Sequence, residues 1–341
     1  MNNKKILVVG AGFSGATIAR HLAEAGFQVE VIDKRPHIGG NAYDFVSNSG
    51  IRIHKYGPHI FHTNNEKVFN WLSQFTKWLP YQHKVKAQLA DGQYVTLPVN
   101  KETAEIVGKE NVIDTFFRPY TKKMWNKDLE ELDPSILQRV PIRDDDNELY
   151  FPKDKFQFMP AEGYTKIFEN IFDHPNIEVK TETLFDINMI SDYYHVFNSM
   201  PIDHMFGYCF GRLPYRSIKF HDVVLPSPKL LPTACVNFTH DGPNTRMTEW
   251  KNFPNHGENN SLTVITYEEP CDYEDNDFEP YYPVKDIDGK NRQVYRKYRD
   301  LIPKKMTFIG RCGLYAYLDM DMAIAFAMKN VQDFIEENLE N

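Results

Sequence analysis

Cysteine is scarce: Cys209, Cys235, Cys271 and Cys312 are the only four in 341 residues. No two form a C-x-x-C pair, and four scattered thiols define no disulfide framework. A reducing, cytoplasmic setting is therefore expected. Basic excess is also missing. Lys and Arg number 39 against 47 Asp and Glu, a net charge of −8. That sets aside a nucleic-acid binder, because gripping a phosphate backbone demands positive charge. An acidic total still leaves room for a local basic pocket around an anion. No apolar run reaches the ~20 residues of a membrane-spanning helix. The opening MNNKKILVVG enters a strand directly, without the separate apolar segment and cleavage site of a secretory leader. Aromatic residues, in contrast, are abundant at 14%, with 24 Phe and 19 Tyr. They can fill a core or offer surfaces for stacking rings. The length allows two or three domains.

The clearest local pattern lies at the start. Residues 5–9 read as a buried strand, and the turn Gly10-Ala11-Gly12-Phe13-Ser14-Gly15 follows. ATIARHLAEAG then reads as a helix ended by Gly26, and QVEVID as a second strand ending in Asp33. This β-α-β order opens a doubly wound fold. Downstream, residues 66–76 predict an amphipathic helix. VKAQLADGQYVTLPV predicts a hairpin turning at Asp91-Gly92. Residues 101–131 are helical in character, and 205–285, rich in Tyr, Phe, Val and Thr, predict an antiparallel sheet. KMTFIG at 305–310 predicts a strand returning to the first sheet, followed by a closing helix over 321–340.

The turn fits G-x-G-x-x-G. Gly10 permits the tight turn, Gly12 lets the backbone approach a pyrophosphate, and Gly15 lets helix and strand pack closely. The helix start, with Phe13 and Ser14, presents free N–H groups to the phosphates. Alone the glycines could mark any tight turn. Between a strand and a helix, with Asp33 placed to accept from a ribose hydroxyl, they read as a dinucleotide site. Lys34-Arg35-Pro36-His37-Ile38-Gly39-Gly40-Asn41 adds a second glycine pair beyond the acidic residue. It resembles the extension in FAD-dependent amine oxidases and their relatives, which points to FAD in residues 1–44. An exposed basic turn is the bland alternative. His59 and His62 stand in H-x-x-H spacing, but no third ligand pattern accompanies them, so no metal is expected.

Four further runs carry a resemblance: Tyr56-Gly57-Pro58-His59-Ile60-Phe61-His62-Thr63, Tyr120-Thr121-Lys122-Lys123-Met124-Trp125, Leu137-Gln138-Arg139-Val140-Pro141-Ile142-Arg143 and Tyr317-Leu318-Asp319-Met320-Asp321. In this order they closely resemble bacterial UDP-galactopyranose mutase over almost the whole chain. The resemblance implies an isomerase that interconverts UDP-galactopyranose and UDP-galactofuranose through a flavin N5–sugar C1 adduct, with reduced, non-covalent FAD and no net redox change. It implies that Arg139 and Arg246 hold the diphosphate, and that His62 and Asp319 lie beside flavin and sugar. Phe116, Phe117, Tyr120, Thr121 and Trp125 would line the uracil and sugar end. Tyr150, Tyr282, Tyr317, Asn237 and His83 would be substrate contacts, and His59 would touch both substrate and cofactor. Arg311, Asp319 and Met320 would meet the flavin, together with Gly10, Gly12, Phe13, Ser14, Gly15, Asp33, Lys34, Arg35, Gly39, Gly40 and Asn41. Read without the resemblance, the aromatics are core residues and each arginine a surface ion pair.

The expected fold is therefore α/β: a Rossmann-like FAD-binding domain with an inserted small helical domain and an antiparallel β-sheet domain. The first is expected to comprise residues 1–80, about 186–212 and 304–341, and the helical domain residues 98–140. The sheet domain is expected to comprise 81–97, about 141–185 and 213–303. Three departures from the family pattern stand out. The chain is a few dozen residues shorter between Asn100 and Phe116, which in bacterial members adds to the dimer contact, so a monomer or a differently built dimer is expected. Met200 replaces a common Gly beside the cofactor. Glu269-Pro270-Cys271-Asp272 replaces a basic stretch. An amine-oxidase-like oxidoreductase would share residues 1–44 but leave Arg139, Arg246 and Tyr120 idle. A non-catalytic nucleotide-sugar binder would not need Asp319 and His62.

Overall fold

The computed structural model describes residues 4–131, 142–257 and 261–339. Strand Lys5–Val9 buries both faces. Ile6 and Val8 join one apolar cluster with Ile18 and Leu22 of helix Phe13–Glu24, while Leu7 and Val9 join another with Ile32, Val196 and Phe308. Two-sided burial explains why ILVV, after the exposed Lys5, is continuously apolar rather than alternating. The strand is central in a five-stranded parallel sheet ordered Ile177–Lys180, Gln28–Ile32, Lys5–Val9, His195–Asn198, Met306–Phe308. Helix Phe13–Glu24 packs against the terminal helix Met320–Leu339, so both chain ends build this unit.

Strand Ile177–Lys180 corrects one expected boundary. Residues 141–185 were expected with the antiparallel sheet, yet this strand pairs in parallel with Gln28–Ile32. The preceding helix Tyr164–Phe172 packs on Phe13–Glu24.

The second sheet has seven strands, ordered Tyr282–Pro283, Tyr215–Leu225, Thr263–Asp272, Arg246–Glu249, Cys235–Phe238, Val85–Gln88, Tyr94–Leu97. Its pairings are antiparallel except one. Cys235–Phe238 runs parallel to Val85–Gln88, which lets the distant hairpin 85–97 extend the sheet formed by 215–283. The acidic stretch 269–272 lies on strand Thr263–Asp272, where Glu269 pairs with His221 and Asp272 with Arg216.

The helical segment begins with Lys101–Val107, capped by Asn100, whose side chain accepts from the Thr103 N–H at 2.9 Å. A π-helical turn, Ile113–Phe117, then runs into helix Arg118–Trp125. Such turns concentrate at functional sites. Here Phe116 is buried, while Tyr120 is 40% exposed. Among the described residues no helix is long and apolar enough to cross a membrane.

Candidate active site

The glycine turn is shaped by backbone contact. Gly10 has φ +102°, and a Cβ there would collide with the Ser199 hydroxyl. Gly12 faces the second glycine pair across a narrow mouth: a Cβ on Gly40 would lie 2.9 Å from the Gly12 Cα. Asp33 fastens the loops behind that mouth. One of its carboxylate oxygens accepts the Ala11 N–H at 2.8 Å and the other the Arg35 N–H at 2.9 Å. The Arg35 guanidinium donates to Asn41 Oδ1 at 3.0 Å, pairs with Glu279, and lies 4.2 Å over the Tyr56 ring.

A cavity of ≈ 410 Å³ follows from this turn. Gly10, Gly12, Phe13, Ser14, Gly15, Asp33, Lys34, Arg35, Gly39, Gly40 and Asn41 line one part of it, and His59, Arg311, Asp319 and Met320 another. These residues share one space, whereas His62, also expected beside the flavin, does not line it. The cavity combines a Cβ-free phosphate approach, a carboxylate at the end of the second strand and half-buried guanidinium groups, which together suit a dinucleotide. Met200 also lines it, packed against the cluster that contains Val9, Ile202 and Tyr215. Its side chain fits without filling the cavity.

A second group of residues assembles beside Arg311. The Arg311 guanidinium donates to Leu318 O at 2.8 Å and Tyr281 O at 3.3 Å. It lies within 5.7 Å of the ring centres of Tyr281, Tyr282 and Tyr317. Trp125 packs on Tyr282, and Tyr282 stacks on Tyr317. Burial and the neighbouring Asp319 carboxylate push the Tyr317 phenol pKa up, so it stays protonated.

Arg246 is held by Glu268 through Nε at 2.9 Å and Nη2 at 2.8 Å. Its side chain is still 31% exposed. Its charge reaches several of the expected contacts. Burial lowers His59 to about 4, and the Arg311 and Arg246 charges act in the same direction. Burial lowers His83 to about 3, again helped by Arg246. Both imidazoles are therefore neutral at pH 7. Tyr120 and Tyr150 also feel Arg246, while Asn237 pairs with it across adjacent strands. Among the described residues, buried Asn237 Oδ1 has no hydrogen-bond partner.

His62 and His59 turn to different partners. His62 Nδ1 lies 2.7 Å from Asp154 Oδ2, with its ring stacked 3.6 Å from Phe151. His59 Nδ1 meets Gly57 O at 2.8 Å. Among the described residues no group of His, Cys, Asp and Glu is arranged to hold a metal. Arg139 lies outside the described residues.

Residues 115–317 match the family model of UDP-galactopyranose mutase, and residues 8–75 that of an NAD(P)-binding Rossmann-like domain. A Klebsiella pneumoniae protein named probable UDP-galactopyranose mutase is 38% identical over 98% of this chain and 96% of its own length. The chain belongs to the UDP-galactopyranose mutase family. The UDP-galactopyranose mutase of Mycoplasma pneumoniae is 31% identical over 98% of this chain and 97% of its own. An Escherichia coli dTDP-fucopyranose mutase is 37% identical, covering 98% of this chain and all of its own length. Among solved structures, a reduced UDP-galactopyranose mutase superposes with a TM-score of 0.76 at 16% identity, covering 99% of this chain and 95% of its own. Putrescine oxidase shares the fold with a TM-score of 0.57 at 12% identity, covering 98% and 99%. Family membership therefore favours the mutase over an amine-oxidase-like enzyme, although the scaffold is common to both.

For a mutase-family site, several supporting residues have no sequence signal. Glu279 meets Arg35 from 244 positions away, and Asp154 meets His62 from 92. Glu268 sits across the strand pair from Arg246, and Tyr281 opposite Arg311. Only Glu268 could have been sought beforehand, by aligning neighbouring strands around Arg246.

Proposed function

We propose that this chain interconverts UDP-galactopyranose and UDP-galactofuranose, using reduced FAD held non-covalently in the ≈ 410 Å³ cavity. The observation that carries the reading is Arg246, fixed by Glu268 yet 31% exposed, with a charge that reaches His59, His83, Tyr120 and Tyr150.

Gly12 and Gly40 would admit the pyrophosphate, Asp33 the ribose, and Arg311, His59 and Met320 the flavin end. When bound, reduced FAD supplies a nucleophilic nitrogen without net redox change. The chain's own residues do the rest. Tyr120, with Phe116, Phe117 and Thr121 beside it, grips the base, and Trp125 lies toward the sugar end. Arg246 and Arg139 neutralise the diphosphate as it departs from the sugar, with Tyr150, Tyr282 and Tyr317 as hydroxyl donors. Neutral His59 and His83 offer hydrogen bonds without adding repulsive charge. His62 is held in one orientation by Asp154, and Asp319 offers a carboxylate to the sugar.

The test is incubation of dithionite-reduced protein with UDP-galactofuranose, followed by product chromatography. UDP-galactopyranose without peroxide formation is expected. No product, or stoichiometric oxidation of the substrate, overturns the reading. The 37% identity to a dTDP-fucopyranose mutase favours a second substrate, dTDP-fucopyranose, which belongs in the same assay.

A further inference from the structure

Helix Arg118–Trp125 is fastened to the seven-stranded sheet by two cations that point in opposite directions. Lys123 Nζ donates to Phe238 O at 3.1 Å, His240 O at 2.8 Å and Asn244 O at 3.1 Å. All three ammonium donors are used. They draw together the turn between strands Cys235–Phe238 and Arg246–Glu249. From the sheet, buried Arg216 donates through Nε to Met124 O at 2.7 Å and through Nη2 to Lys123 O at 3.3 Å. These carbonyls form the C-terminal end of the helix, where unpaired acceptors and the negative dipole end favour a cation. Met124 is buried with Ile218 and Tyr281, which makes the joint apolar at its centre.

The two parts so joined carry different halves of the nucleotide site. The helix bears Tyr120, Thr121 and Trp125, and the hairpin bears Asn237 and Arg246. We propose that Lys123 is a positioning residue that sets the spacing between the base-gripping helix and the diphosphate arginine. It touches no substrate atom itself. This inference rests on the function proposed above. A methylene chain without the ammonium leaves three carbonyls without their donor and frees the 239–245 turn. The lost grip falls on the base, remote from the bond that breaks, so affinity suffers more than turnover.

The experiment compares Lys123→Met, Lys123→Arg and Lys122→Met as FAD-loaded proteins. Lys122 is exposed on the same helix, so its variant removes the same charge without touching the joint. UDP binding is measured by calorimetry, and KM and kcat with UDP-galactofuranose. Lys123→Met is expected to raise both KM and the UDP dissociation constant roughly tenfold, with kcat within about threefold. Lys123→Arg should recover part of the loss, and Lys122→Met should match the parent. If Lys123→Met does not fold, Lys123→Gln, with two N–H donors, is read in the same way. Parental KM and UDP affinity in the folded variant would overturn the inference, as would an equal loss in Lys122→Met. If the unaltered protein binds no UDP at all, it is the proposed function that fails.

Discussion

Glu268 holds Arg246 at two points, and only 3% of the glutamate side chain reaches solvent. The pair is both a support and a liability. Arg246→Ala should lower turnover by about 10²-fold or more if the guanidinium stabilises the departing diphosphate. It should also destabilise the fold by about 3–5 kcal/mol, because a buried carboxylate loses its counter-charge. Arg246→Ala/Glu268→Gln should regain most of that stability and none of the activity. Urea melts and initial rates on the three proteins separate the effects. Recovery of activity in the double variant would show that Arg246 acts only as a structural partner.

Gly12 and Gly40 meet so closely that side-chain volume decides what passes. A Cβ on Gly12 would lie 3.5 Å from the Gly40 Cα, so alanine fits. The two branches of valine have to enter the mouth proposed for the pyrophosphate. Gly12→Val should purify folded but colourless, and Gly12→Ala yellow. The measurement is visible absorbance and FAD released on heating. A yellow valine variant with full FAD content would move the cofactor elsewhere.

Much of this site was legible in the sequence because its parts are local. The glycine turn, Asp33 and the second glycine pair are read in one pass, since strand, turn and helix are contiguous. Tyr120, Arg246 and Asp319 were legible only through resemblance, because nothing in their spacing separates them from core aromatics and ion pairs. Strand Ile177–Lys180 was misplaced for a physical reason. It is the edge of the parallel sheet, alternately half-buried and exposed, so it lacks the continuous apolar run of an inner strand. Asp154, Glu279 and Lys123 were invisible because their meaning depends on partners brought in by the fold.

The buried histidines predict the acid side of stability. His54 Nδ1 accepts the His59 N–H at 3.0 Å, so its Nε2 must carry the hydrogen that bridges to His256 Nε2 at 3.0 Å. His256 Nδ1 then donates to Pro254 O at 2.8 Å. Protonating either ring places two N–H groups face to face. Burial lowers His54 well below its ordinary value, His256, His59 and His195 to about 4, and His83 to about 3. In the unfolded chain each titrates near 6.5. Below that pH the unfolded state binds more protons, so stability is full above about 6.5 and falls as pH drops toward 4. The urea midpoint at pH 5 should lie clearly below that at pH 7. Equal midpoints would mean that these rings are not buried neutral.

Assembly is expected to reflect the length of the chain. The relatives align over 376 and 385 positions against 341 residues here, so they carry segments that this chain lacks. The resemblance implies that the loss lies between Asn100 and Phe116, in a helical part expected to form the dimer contact of bacterial members. A stable dimer generally buries on the order of 1,600 Å² in total. Among the described residues, the helices here are Lys101–Val107 and Arg118–Trp125 with the turn Ile113–Phe117 before it, and the last helix is anchored to the sheet through Lys123, Met124 and Arg216. A face committed to that joint, and to the substrate under the proposed function, would not also cover a partner. Light scattering at micromolar concentration should therefore give a particle near 39.9 kDa, or a dimer formed through another surface. Charge placed at exposed Ile106 and Ile113, as Ile106→Glu/Ile113→Glu, should leave that mass unchanged. A dimer that this pair of substitutions dissociates would show that the shortened helical segment still mediates the family contact.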